Sequence, residues 1–160
     1  MRRISIVAIL GGLAIVGSVI GARTALATPP SGVGATFTAR ATLERYHFDS
    51  NDFKIFQKDR EDIVMRELTI APAGNGGWHS HPGPSYVIVT QGTVSLYHGD
   101  DPTCTAERFG PGEGFVEGPG DVHIPRNEGT RVATLLVVFL DVPVGGAFRI
   151  DAPSPGNCPF

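Results

Sequence analysis

The sequence predicts an all-β domain, a sandwich or barrel built from short strands. Three observations carry this. Stretches rich in Val, Ile, Leu and Thr recur at short intervals along the chain. Gly and Pro, 21 and 13 of the 160 residues, break them up as turn formers do. No stretch shows the apolar spacing of an amphipathic helix, and there is no internal repeat.

The strand-like stretches can be taken in order. Phe37 to Phe48 is Thr- and Ala-rich with scattered apolar residues. Phe53 to Gln57 sets Phe53 and Ile55 against Lys54, with Phe56 breaking the alternation. Ile63 to Ile70 places Val64, Leu68 and Ile70 on one face, where Arg66 interrupts the pattern. Tyr86 to Thr90 is continuously apolar, the composition of a strand buried on both faces. After a Gln91-Gly92 turn, Thr93 to Tyr97 puts Val94 and Leu96 on a shared face. Phe115 to Glu117 is short, and Val132 to Leu140 is long and apolar.

Ahead of these strands lies a segment that stays out of the fold argument. Arg2 and Arg3 precede an uncharged apolar run, Ile4 to Ile20, and Ala25-Leu26-Ala27 has the small-x-small pattern of a signal-peptidase site. Residues 1–27 therefore read as a signal peptide. The alternative is an N-terminal membrane anchor, since the run to Ala22 is about as long as the ~17–25 residues that span a bilayer. Both place the domain outside the cytosol, secreted or extracytoplasmic, and only the second keeps it on a membrane. Residues 28–36, Thr-Pro-Pro-Ser-Gly-Val-Gly-Ala-Thr, have linker composition and predict little fixed structure. Residues 37–160 then form a single domain with one core. A net charge of −3 and no basic stripe argue against nucleic acid as a partner. Two cysteines, Cys104 and Cys158, form an even pair in polar, turn-like sequence. In an oxidising compartment this favours a disulfide clipping the C-terminal tail to a loop, worth about 2–4 kcal/mol. Two unpaired surface thiols are the alternative.

Chemistry concentrates in two glycine-framed histidine clusters. The first runs Gly74-Asn75-Gly76-Gly77-Trp78-His79-Ser80-His81-Pro82-Gly83, and the second Gly118-Pro119-Gly120-Asp121-Val122-His123-Ile124-Pro125-Arg126-Asn127. On an extended strand His79 and His81 face the same way, and a second strand can bring His123 opposite them. Three converging neutral imidazoles form a transition-metal site.

Gly74, His79, His81 and Gly92 match the first motif of the cupin superfamily, and Gly120, His123 and Asn127 the end of its second. Over about residues 60–141 the chain resembles a small single-domain cupin. The resemblance implies a jelly-roll barrel, or double-stranded β-helix, with a metal at its centre. One position departs from the pattern: the family's glutamate ligand would fall at Ser85. The implied ligand set is then His79, His81 and His123, with Ser85 on the same inward face leaving room for water or substrate. Such a set suits Fe, Mn, Zn or Cu, and an exported protein meets little stable Fe²⁺, which tilts the choice away from iron.

Glu117 lies among Gly114, Phe115 and Val116, just before the turn that carries His123. It is either a carboxylate turned into the barrel, as replacement ligand or general base, or a solvated strand end. Trp78 is expected at the barrel mouth as wall or substrate platform, and Arg126 at the rim or in solvent. Asn127 is expected to fix the turn backbone, Gly77, Gly83 and Gly120 to form turns, and His47 and His98 to lie on the surface. Function then divides between a metal-dependent dioxygenase or related oxidoreductase acting on a small molecule and a non-catalytic cupin holding a small ligand. Dimerisation through the sheet is compatible with both.

Overall fold

The structure, a computed structural model, describes residues 26–160. The signal-peptide or anchor reading falls almost wholly on residues 1–25, outside the described residues. Chain order is β1 (Ser31–Leu43), β2 (Tyr46–Ser50), β3 (Phe53–Gln57), β4 (Glu61–Asn75), β5 (His79–Ser80), β6 (Ser85–Gln91), β7 (Val94–His98), β8 (Glu107–Phe109), β9 (Gly114–Glu117), β10 (His123–Arg126), β11 (Ala133–Val142) and β12 (Ile150–Asp151). Among the described residues there is no helix, and no helix long and apolar enough to cross a membrane.

β2 and β3 form a separate hairpin, while the other ten strands form one network. Its two faces have five strands each, β1-β4-β11-β6-β9 and β12-β5-β10-β7-β8. They meet where Asn75, ending β4, pairs with Arg126, ending β10. All pairings are antiparallel. Two antiparallel sheets rolled around one core make the jelly roll that the resemblance implies.

Side-chain alternation sets the first face. Val64, Phe139, Ser85 and Glu117 are opposed in one row across β4, β11, β6 and β9, and all four are buried. The next inward row is Arg66, Val137, Val87 and Phe115. The row between them, Met65, Val138, Tyr86 and Val116, points outward, and Met65, Tyr86 and Val116 are exposed. A slip of one residue would exchange these rows, so burial of the inner ones fixes the register. Val64, Ile70, Val87, Val89, Leu135 and Phe139 belong to the main core, and Trp78, Tyr97, Ile124 and Cys158 form a second cluster.

Three expectations are corrected here. Residues 31–36 are not free linker: β1 begins at Ser31 and runs beside β4. Gly32, at φ 65°, absorbs the register shift between Ser31 and Val33, so the glycine serves a bulge rather than a flexible tether. The apolar Tyr86–Thr90 stretch is buried on one face only, with Tyr86 46% and Ile88 52% exposed. Finally, Phe37 to Phe48 divides into the end of β1 and the start of β2.

The tail returns to the strand that carries His79. β12 pairs with β5, Ile150 opposite Ser80 and Asp151 opposite His79. A disulfide joins Cys104 to Cys158, as the cysteine count led us to expect.

Candidate metal centre

His79 opens β5, His81 follows that strand, and His123 opens β10 directly opposite His79. Their ring centroids lie 4.9 Å (His79–His81), 4.5 Å (His79–His123) and 5.1 Å (His81–His123) apart. All three are buried, His123 completely. Their candidate ligand atoms all fall within 4.8 Å of one another. Gly77 sets up this approach: its φ is 67°, and the bend places its carbonyl 2.8 Å from His79 Nδ1.

Backbone carbonyls fix the ring orientations. His79 Nδ1 donates to Gly77 O at 2.8 Å, His81 Nδ1 to Phe148 O at 2.7 Å, and His123 Nδ1 to Asp121 O at 2.9 Å. A carbonyl only accepts, so each Nδ1 carries the hydrogen and each Nε2 keeps a lone pair. Such tethers orient metal-binding imidazoles from behind. Burial, reinforced by the neighbouring His123 and Arg149, pushes the His79 imidazole down to about 2, leaving it neutral and able to ligate at ordinary pH.

Glu117 reaches two of the histidines from β9. Its carboxylate lies 3.3 Å from His81 Nε2 and 3.1 Å from His123 Nε2, and Ser85 Oγ donates to its Oε2. Burial pushes this carboxyl up, while positive charge at the neighbouring His123 and His81, from a proton or a bound ion, pulls it below the usual carboxylate range. The side chain is therefore turned into the barrel, not a solvated strand end. Ser85 lies on the inner face, directly across the ladder from Glu117 and hydrogen-bonded to it.

The donor set fits a divalent transition metal. His123 Nε2, although 3.1 Å from Glu117 Oε1, is off the line of a hydrogen bond and remains buried without a partner. A lone pair sealed in this way is costly unless it has a cation to bind. Three neutral imidazoles and one carboxylate supply what such an ion needs.

Two adjoining spaces lie beside the site. An inner one of about 40 Å³ is bounded by His79, His81, Glu117, Val87, Phe115 and Phe139. An outer one of about 130 Å³ shares His79, His81 and Phe139 and reaches Arg66, Phe148 and Arg149. Trp78 lines neither. It is fully buried in the second cluster, because the alternation that turns His79 inward turns its neighbour the other way. Arg126 covers the Phe160 ring with its guanidinium 3.8 Å from the centroid. Asn127 donates to Ile70 O and Arg131 O and accepts from Gly129 N, fixing the turn as expected. His47 meets the Phe56 ring edge-on in the hairpin, and His98 lies 3.3 Å from Glu107. Sequence reasoning missed Phe148 and Arg149. Nothing local marks them, since only the return of the tail to β5 brings them to the histidines.

The family model of the cupin domain matches residues 66–139. A curated relative, germin-like protein subfamily T member 3 of Arabidopsis thaliana, is 36% identical over 81 residues, 49% of this chain and 36% of its own. The chain thus spans about a third of that relative's length. Among solved structures, a cupin-like protein of Thermotoga maritima is 21% identical, with a TM-score of 0.47 over 57% of this chain and 65% of its own. An oxalate oxidase structure is 23% identical, with a TM-score of 0.45 over 50% of this chain and 42% of its own.

Proposed function

We propose that this chain is a cupin, as the family model over residues 66–139 supports, and a metal-dependent oxidoreductase of small organic molecules, with His79, His81, His123 and Glu117 holding one divalent transition metal. The observation that carries this reading is the meeting of His79, His81 and His123, their ligand atoms within 4.8 Å of one another and each ring tied back through Nδ1, with the buried Glu117 carboxylate against two of them. Four protein donors saturate a tetrahedral Zn²⁺ but leave two positions on an octahedral ion. That favours Mn²⁺ or Fe²⁺, and the scarcity of free Fe²⁺ outside the cytosol favours Mn²⁺. The bound ion supplies Lewis acidity and one-electron redox capacity.

The chain's own residues do the rest. Val87, Phe115 and Phe139 keep bulk water from the inner space, which strengthens every charge interaction within it. Ser85 holds Glu117 Oε2, leaving Oε1 toward His123 as the oxygen able to take a proton from a substrate. Export is supported by the Cys104–Cys158 bridge together with the N-terminal pattern. The outward apolar row across β4, β11, β6 and β9 supports a homodimer through that face.

The test is metal analysis of the purified protein, followed by loading with Mn²⁺, Fe²⁺, Zn²⁺ or Cu²⁺ and measuring oxygen uptake with thiols, flavonoids and small organic acids. His123→Ala should abolish stoichiometric metal binding, and full metal content in that variant would sink the site. A stoichiometric metal without turnover of any substrate would establish the non-catalytic, ligand-holding cupin instead.

A further inference from the structure

We propose that a hard divalent cation of the Ca²⁺ type binds between Glu61 of β4 and Asp141 of β11 and staples the β2–β3 hairpin to the barrel. The site shares no residue with the histidine centre.

The hairpin has little to hold it. β2 and β3 pair only with each other, and an isolated two-stranded hairpin is marginally stable at best in water. Its base nonetheless stands on two carboxylates. Tyr46 and Gln57 are directly opposed across the hairpin. The Tyr46 hydroxyl donates to Glu61 Oε1 at 2.7 Å, and Gln57 Nε2 donates to Asp141 Oδ1 at 3.0 Å. A bulge in the barrel brings the two acids together. β11 pairs Phe139 with Val64 and Val142 with Asp62, so Leu140 and Asp141 both stand against Ile63. Asp141, at φ 52°, thereby becomes a diagonal neighbour of Glu61. Such a relation separates Cα atoms by about 7–8 Å, a gap that two acidic side chains can span to one ion.

Neither acid has a positive partner. No ion pair among the described residues involves either of them, and Arg45 and Lys58, next in sequence to Tyr46 and Gln57, join none. Tyr46 supplies no charge. Burial first, then its bond to Glu61 and the charges of Glu61 and Asp141, push its phenol up to about 12, so it stays a neutral donor. A separate observation is an orphaned atom. Glu61 is only 2% exposed, and its Oε2 is buried without a hydrogen-bond partner. A carboxylate oxygen sealed in this way is costly unless a cation meets it. Carboxylate oxygens, with no imidazole or thiolate among them, select a hard ion. Ca²⁺ tolerates irregular ligation, whereas Mg²⁺ demands near-ideal octahedral geometry and gives up water reluctantly. Two acids with water completing the shell make a weak site, with a Kd of about 10⁻⁴–10⁻³ M as in extracellular modules.

The experiment is calorimetric titration of the full chain with Ca²⁺, repeated with Mg²⁺. One Ca²⁺ per chain should bind with a Kd of about 0.1–1 mM, and Mg²⁺ at least about tenfold more weakly. Glu61→Gln and Asp141→Asn, on different strands, keep acceptor oxygens for Tyr46 and Gln57 but remove the charge. Each should weaken Ca²⁺ at least about tenfold. Asp49→Asn, an acid toward the hairpin tip already paired with Lys54, should leave it within about twofold. Trypsin gives a second readout, since Lys54 lies in the hairpin. Saturating Ca²⁺ should slow cleavage there several-fold in the wild type and leave it unchanged in Glu61→Gln. A wild-type chain that binds no Ca²⁺ up to about 10 mM would overturn the proposal. So would Mg²⁺ binding of equal affinity, unchanged Ca²⁺ affinity in Glu61→Gln and Asp141→Asn, or an equal loss in Asp49→Asn.

Discussion

Replacing Cys104 and Cys158 together by serine tests how far the tail depends on its clip. The two cysteines are 54 residues apart, and loop-closure entropy for a span of that length gives about 4 kcal/mol at 25 °C. Against a typical total of about 5–15 kcal/mol, that is a large share of the fold's stability. The assay is urea unfolding in the presence of a chelator, because any bound metal would stabilise the native state by mass action and mask the loss. The double variant should lose about 4 kcal/mol, which for a domain of this size lowers the thermal midpoint by roughly 10–20 °C. A loss under about 1 kcal/mol would refute the reasoning and show that the unfolded chain gains little freedom when the bridge is gone. A second readout concerns the site. The tail places Phe148 O on His81 Nδ1, so a loosened tail should lower metal affinity about 10–100-fold, as loss of an orienting partner does. Unchanged affinity would mean that the β5–β12 pairing seats the tail unaided.

The other predictions concern the carboxylate, acid stability and assembly. Glu117→Gln should weaken metal binding by at least about tenfold in a chelator competition, and Ser85→Ala should weaken it less in the same direction, because Ser85 only holds the ligand. Stronger binding in Glu117→Gln would exclude the carboxylate from the metal site. In metal-free protein the folded-state pKa of His79, about 2, lies below its ordinary 6.5, so the unfolded chain takes up the proton first. The His79 contribution is intact above about pH 6.5 and declines as pH falls toward 2, with a slope of at most about 1.4 kcal/mol per pH unit. Denaturation midpoints measured against pH should show this decline, and His79→Gln should flatten it; an equal slope in that variant would refute the assignment. Sedimentation should report a dimer that Tyr86→Lys combined with Ile88→Lys converts to a monomer, and a wild type that sediments as a monomer would remove the outer face as an interface.

The three clustered histidines were legible because they obey a short-range rule. Residues two apart on a strand share a face, so the His79 and His81 pair could be read directly, and the glycine-framed second cluster supplied His123. Glu117 was legible only as an unresolved choice. What decides it is the register that sets Ser85 opposite Glu117, a pairing across 32 positions that no local pattern encodes. Composition misled at residues 31–36, where Pro, Ser and Gly suggested a tether but the segment fits a bulged edge beside β4. Continuous apolarity misled at Tyr86–Thr90, since an outward Tyr and Ile look the same in sequence as buried ones. Arg66 was the informative irregularity, a charge among inward apolar residues that made sense only once the cavity was in place.

The return of the tail over β5 also orders events in time. Residues 148–158 supply the carbonyl that steadies His81, the arginine of the outer cavity and the second half of the disulfide, yet they leave the ribosome after every other strand of the barrel. The three imidazoles can gather earlier, but the last of their tethers arrives only with this segment. If the proposed ion enters before the tail is seated, it enters through a looser, more accessible site than the finished one, so the order of the two events bears on which metal is held.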